Sequence, residues 1–177
     1  GNIGSVKIGQ IIGKDNLKNF LKKIGVLDRT KFDIEEVGTP LPFKWGDCKL
    51  KTVSYGHGIT TTPLQIAKAY SILSNGGYEI EPTLIKKNHY IKGNKLLNNN
   101  VSNQINKILR KVVVEGTATL ADVKGYEVGG KTGTAQIVEN GIYTKKKINT
   151  FASVFPMSDP KFVLIVLLED TKLSKDY

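Results

Sequence analysis

Lys131, Thr132, Gly133 and Thr134 follow the pair Gly129-Gly130 and form the stretch of this chain best suited to chemistry. On a β-strand successive side chains alternate between faces, so Thr132 and Thr134 present their hydroxyls on one side with the bare Gly133 between them. A cation, two hydroxyl donors and an unobstructed backbone edge together make a receptor for a substrate carboxylate lying beside a reacting carbonyl. Taken alone, each residue has a plainer reading: Lys131 as an ordinary strand-edge lysine, the threonines as β-formers. What decides between them is what the flanking sequence builds around the stretch.

Other residue types offer less. His57 lies among glycines with no Asp or Ser partner in view, which reads as a loop histidine, and His89 falls in a polar loop. Asp and Glu residues show no metal-ligand clustering, so no metal is expected. Cys48 is the only cysteine, which excludes an internal disulfide or a cysteine-based metal site. The formal net charge is +10, but almost all of it is lysine, with Arg29 and Arg110 the only arginines. The lysines are scattered apart from Lys145-Lys146-Lys147, a solvated loop run on this reading. Arg-rich, aromatic-interleaved patches of the kind that grip nucleic acid are absent, and no nucleic-acid partner is expected. No run of 18 apolar residues appears in the 177.

The elements that must hold the stretch are marked by periodicity and punctuation. Residues 126–136 read as the motif strand, and 150–155 and 162–168 as two more strands joined by Met157-Ser158-Asp159-Pro160. Residues 138–148 read as a polar connection, with Asn140-Gly141 a tight-turn signal. Asp15 is placed to cap a helix running to about Ile24, with Leu17, Phe20, Leu21 and Ile24 on one face and Gly25 as its stop. Thr62-Pro63-Leu64-Gln65 combines a capping box with proline at the first helical position, and Asn75-Gly76-Gly77 ends that helix. Ser102 opens another, whose apolar stripe is Ile105, Ile108, Leu109, Val112 and Val113, closed by Gly116.

Residues 26–54, containing Pro40 and Pro42, read as a long excursion with little regular structure, and 86–100 as a surface loop or short hairpin. Residues 1–10 carry no turn or cap signal. Helices followed by three consecutive strands predict an α+β fold with an antiparallel sheet and helices packed on it. The last two strands are apolar on both faces, so both faces of the sheet want cover. The helices at 62–75 and 102–115 are expected on one face, and an element beyond Tyr177 on the other.

In this setting residues 129–136 (GGKTGTAQ) resemble the Lys-Thr-Gly strand of penicillin-binding transpeptidases. Their other signature elements are Ser-x-x-Lys and Ser-x-Asn. Residues 55–77 (YGHGITTTPLQIAKAYSILSNGG) and 151–170 (FASVFPMSDPKFVLIVLLED) resemble class B members, division-specific (FtsI-like) or elongation-specific (PBP2-like). Asn2-Ile3-Gly4 resembles the Asn of Ser-x-Asn and the two residues after it. The resemblance spans essentially the whole chain in the right order and implies a partial penicillin-binding transpeptidase or serine β-lactamase-like fold.

It further implies a peptidoglycan D,D-transpeptidase that works through a serine acyl-enzyme on stem peptides ending in D-Ala-D-Ala. Such an enzyme binds β-lactam antibiotics covalently and uses no cofactor. It acts beside cell-wall synthesis or divisome membrane proteins, anchored in the bacterial cytoplasmic membrane with the catalytic domain on the outer, periplasmic side. By the same resemblance Lys131, Thr134 and Asn2 take catalytic places and Thr132, Gly133 and Thr134 bind substrate. Lys131 supplies charge near the serine, the Thr134 N–H forms half of the oxyanion hole, and Asn2 positions the substrate amide.

The departures are equally specific. The one Ser-x-x-Lys here, Ser158 to Lys161, falls in a strand turn after the Lys-Thr-Gly element, against the family order. Gly1 holds the middle place of Ser-x-Asn. The expectation is a partial transpeptidase domain over 1–177 that lacks the Ser-x-x-Lys half and the C-terminal helix, has no nucleophile of its own and is inactive alone. Two alternatives stay open on these residues: a serine β-lactamase or β-lactam-sensor domain, and a non-catalytic homologue that serves as a scaffold.

Overall fold

The computed structural model describes residues 1–35, 37–89, 92–139 and 142–170. Helices α1 (Asn2–Ile12), α2 (Lys14–Lys23), α3 (Asp47–Val53), α4 (Pro63–Ser74) and α5 (Asn99–Glu115) come first. A 3-10 turn at Thr119–Ala121 comes next, then β1 (Gly129–Glu139), β2 (Ile142–Phe155) and β3 (Phe162–Glu169). The strands form one antiparallel sheet in the order β1-β2-β3, as the expected α+β class requires.

Helix α4 is built as its sequence dictates. The Thr62 hydroxyl accepts from the Gln65 N–H at 3.2 Å, and the Thr62 N–H donates to Gln65 Oε1 at 2.8 Å. Gln65 is wholly buried, and its Nε2 donates to Val26 O at 3.3 Å and Asp28 O at 2.7 Å. One side chain therefore closes the helix start and ties down the segment after α2. Ile72 and Ala69 on α4 pack with Ile24 and Val26 in the first core cluster.

Helix α5 starts earlier than its apolar stripe suggested. Asn98 is the cap, its side chain accepting from Val101 N at 2.9 Å. Ser102, expected at the helix start, is instead buried within it, donating to Leu73 O at 2.6 Å and accepting from Gly76 N at 3.0 Å. It stitches α5 to the end of α4. Gly77 has φ +86°, and a Cβ there would collide with the Leu97 backbone, so the Gly-Gly stop is also a close crossing.

No start signal in the sequence marks α1, which lies on α3 where Gly9 has no Cβ to strike Ser54. Its isoleucines Ile3, Ile8 and Ile11 are exposed, so apolar periodicity gave no warning. The excursion at 26–54 contains α3, and the N-cap of α2 is Gly13, with Asp15 in the first turn rather than before it. The polar connection at 138–148 is mostly strand. β1 and β2 pair through it with a register shift between Gln136 and Val138. Backbone hydrogen bonding carries this ribbon, with no buried side chain among its described residues, helped by Thr144, whose hydroxyl donates to Ile137 O at 3.0 Å. Asn140-Gly141 lies outside the described residues.

The sheet has two unlike faces. Ala152 and Val154 are buried on the face that carries Val163 and Ile165, and α4 packs on β2 and β3. The other face carries Phe151, Ser153 and Phe155 beside Leu164 and Phe162. Ala118 and Ala121, after α5, cover its β1 side together with Val113 and Val128. Farther out, Phe162, Leu164 and Leu168 are 59%, 49% and 51% exposed, so the apolar character of both faces stands and the cover is one-sided.

The β2–β3 turn is clasped to the start of β1. Glu127 accepts the Met157 N–H at its carbonyl (3.0 Å) and the Ser158 N–H at Oε2 (3.1 Å). The hydrogen bonds from Ser158, with Arg110 nearby, hold the Glu127 carboxyl below its ordinary value of 4.5. A carboxyl lowered on folding stabilises at higher pH and loses that stabilisation as pH falls through its folded value. Glu127→Gln should therefore flatten the acid limb of a Tm-against-pH curve below about pH 4.5. Identical acid limbs in the two proteins would refute the clasp.

Candidate active site on the edge of the sheet

The candidate stretch lies in the first half of β1, and the glycines before it explain how it is seated. A Cβ at Gly129 would collide with Met157 and come within 3.1 Å of the Arg110 backbone nitrogen on α5. A Cβ at Gly130 would meet Ala152 O at 2.7 Å and the Phe151 ring on the opposite face. With no side chains there, the strand lies flat between helix and ring, and the next residues emerge at its outer edge. Lys131 pairs with Ala152, Thr132 with Phe151, Gly133 with Thr150 and Thr134 with Asn149.

Strand alternation puts Thr132 and Thr134 on one face and Lys131 on the other. The lysine stem is long enough to bridge this, and Nζ donates back to Thr132 O at 2.6 Å. The cation is thereby held beside the strand backbone at Thr132. On the face opposite the threonines, the nearest atoms a Cβ on Gly133 could meet are those of Thr150 at 4.0 Å, so nothing crowds the strand there. Thr134 donates to Asn149 Oδ1 at 3.1 Å, and the Thr132 hydroxyl lies 3.0 Å from that of Thr117.

Asn2 is the exposed first residue of α1, which packs on α2 and α3, and no hydrogen bond among the described residues joins its side chain to β1. Ser158 and Lys161 sit in the β2–β3 turn, where Lys161 pairs with Asp159 at 3.0 Å and the Ser158 N–H is taken by Glu127. That turn is at the Gly129 end of the strand, beyond the candidate residues. His57 lies against Tyr55 with ring centroids 6.1 Å apart. A cleft of about 730 Å³ opens between α5 and the same turn, lined by Ser74, Asn106, Arg110, Glu127 and Met157 among others, and touches none of residues 131–134.

Two neighbours of the candidate residues escaped sequence reasoning: Thr117, fifteen positions upstream, and Asn149, on the partner strand. Only strand register and the turn after α5 bring them in. A threonine directly after a helix-ending glycine carries no signal that could have marked it.

A β1 edge bearing Lys-Thr-Gly, in a sheet backed by helices, is an arrangement that penicillin-binding proteins and serine β-lactamases share. All 177 residues match the family model described as the penicillin binding protein transpeptidase domain, and the chain belongs to that family. It is 34% identical over 187 residues to stage V sporulation protein D of Bacillus subtilis, a match covering 97% of this chain and 29% of that protein. It is 31% identical over 185 residues to the probable peptidoglycan D,D-transpeptidase FtsI of Caulobacter vibrioides, again covering 97% of this chain and 31% of the relative. The apo transpeptidase domain of Burkholderia pseudomallei penicillin-binding protein 3 superposes with a TM-score of 0.88 at 27% identity, over 96% of this chain and 53% of that one. The chain thus spans about a third of the curated relatives it matches. No helix among the described residues is long and apolar enough to cross a membrane.

Proposed function

We propose that the polypeptide carrying this chain is a serine D,D-transpeptidase that cross-links peptidoglycan stem peptides, and that residues 131–134 form its carboxylate-binding and oxyanion strand. The observation that carries this reading is the open β1 edge with the Lys131 ammonium folded onto its backbone at Thr132, in a chain of the transpeptidase family. A serine supplied by a Ser-x-x-Lys segment outside these residues attacks the carbonyl of the penultimate D-Ala. The serine proton passes to the departing terminal D-Ala as the peptide C–N bond breaks and the ester forms. An acceptor-strand amine then attacks that ester, a new amide forms, and the serine recovers its proton.

In this scheme the terminal carboxylate is received by Lys131, Thr132 and Thr134, the Thr134 N–H helps hold the oxyanion, and Asn2 orients the substrate amide. A β-lactam undergoes the same first step, but its ring opening leaves no separate leaving group and the ester persists. The setting in keeping with this is the outer face of a bacterial cytoplasmic membrane, among cell-wall synthesis or division proteins. Residues 1–177 alone would be inactive.

The test is covalent labelling of the complete polypeptide with a penicillin, mapped by intact-mass and peptide mass spectrometry. An adduct on a serine of a Ser-x-x-Lys segment, and none on residues 1–177 alone, is the expected result. No adduct on the complete polypeptide would point to a scaffold, and rapid turnover of the adduct to a β-lactamase. A stable stoichiometric adduct on residues 1–177 would sink the claim that the nucleophile lies elsewhere.

A further inference from the structure

The Thr117 hydroxyl lies 3.0 Å from the Thr132 hydroxyl. Thr117 is itself exposed, yet both of its neighbours are fixed. Gly116 and Ala118 donate their N–H groups to the same carbonyl, Val112 O, at 3.1 and 3.2 Å. Ala118 is buried against Val113 and Val128. A Cβ on Gly116 would come within 2.6 Å of Val112 O, so the backbone folds this tightly only with glycine there. The end of α5 therefore aims one hydroxyl at the Lys-Thr-Gly strand from a rigid mount.

A hydroxyl has one proton to donate and two lone pairs to accept with. Thr134 spends its proton on Asn149 Oδ1. In the Thr117–Thr132 pair one proton is spent between the two oxygens and the second has no partner among the described residues. An exposed neutral hydrogen bond adds little to folding stability, so stability alone is a weak reason for such a mount.

We propose that Thr117 is a positioning residue of the carboxylate receptor, holding the Thr132 hydroxyl in place so that the pair always offers one proton toward a substrate carboxylate. This rests on the function proposed above. Thr117 acts through Thr132 and takes no part in bond making.

The test compares the complete polypeptide with its Thr117→Val and Thr117→Ser variants, using penicillin G and its methyl ester as probes. Thr117→Val should lower the second-order acylation rate with penicillin G by roughly 5- to 10-fold, the effect of one lost neutral hydrogen bond. The loss should fall on initial binding rather than on the acylation step. Thr117→Ser should recover the rate to within about twofold, and the methyl ester, with no carboxylate to receive, should react alike with all three proteins. An unchanged rate in Thr117→Val, or equal slowing of acid and ester, overturns the proposal while leaving the transpeptidase reading intact. A wild-type polypeptide that forms no adduct overturns that reading and this inference with it.

Discussion

Replacing Lys131 by alanine in the complete polypeptide should slow penicillin acylation by about 100- to 1000-fold, the scale of losing one preorganised donor that faces developing charge. The argument is geometric. Nζ is already folded onto the β1 edge at Thr132 O, so the charge is in place before a ligand arrives and needs no reorganisation. Alanine keeps the strand: Lys131 is exposed, and its pairing with Ala152 runs through the backbone. The loss should therefore appear in acylation kinetics with Tm nearly unchanged. Lys131→Arg keeps the charge but not the compact ammonium and should recover only part of the rate. Acylation of Lys131→Ala within about threefold of the parent would remove the lysine from the mechanism.

The largest expected stability effect lies far from the edge, at Gln65. Gln65→Leu should cost about 3 kcal/mol, because two carbonyls, Val26 O and Asp28 O, lose their donor and the Thr62 N–H loses its acceptor. For a chain of this size that is a fall of roughly 6–12 °C in Tm. Gln65→Glu separates the two jobs of the residue. It retains an acceptor for the Thr62 cap but has no amide to give to residues 26 and 28. If the tie to that segment dominates, glutamate should be nearly as damaging as leucine; a Tm like that of the parent would assign the effect to the cap alone.

The elements legible in the sequence are those whose signals are local. The Thr62–Gln65 cap and the Gly76-Gly77 stop appear where the residues place them, and the three strands come in the expected order, although β1 starts at Gly129 rather than Tyr126 and β2 at Ile142 rather than Thr150. The elements missed were specified at a distance. Helix α1 forms around Gly9 against Ser54, and the ribbon at 138–148 is held by pairing between β1 and β2, which its polar composition conceals. The candidate site divides in the same way. Lys131, Thr132, Gly133 and Thr134 were readable as a contiguous motif on a strand. Thr117 and Asn149 were not, since nothing but tertiary register brings them to it. Asn2 was singled out through its resemblance to Ser-x-Asn, and the helix it opens, α1, packs on α2 and α3.

One property of β1 reaches beyond any single residue. Its inner side is engaged by β2, and among the described residues no strand lies along its outer side. A guest that lines up there is gripped by its own main chain, which is identical in every peptide, so the rim cannot distinguish one sequence from another. On the proposed function the lysine and the hydroxyls would add a different kind of information: they would register a free terminus. Such a surface would read punctuation instead of spelling, requiring that a peptide stop at the right place and leaving the preceding letters to vary.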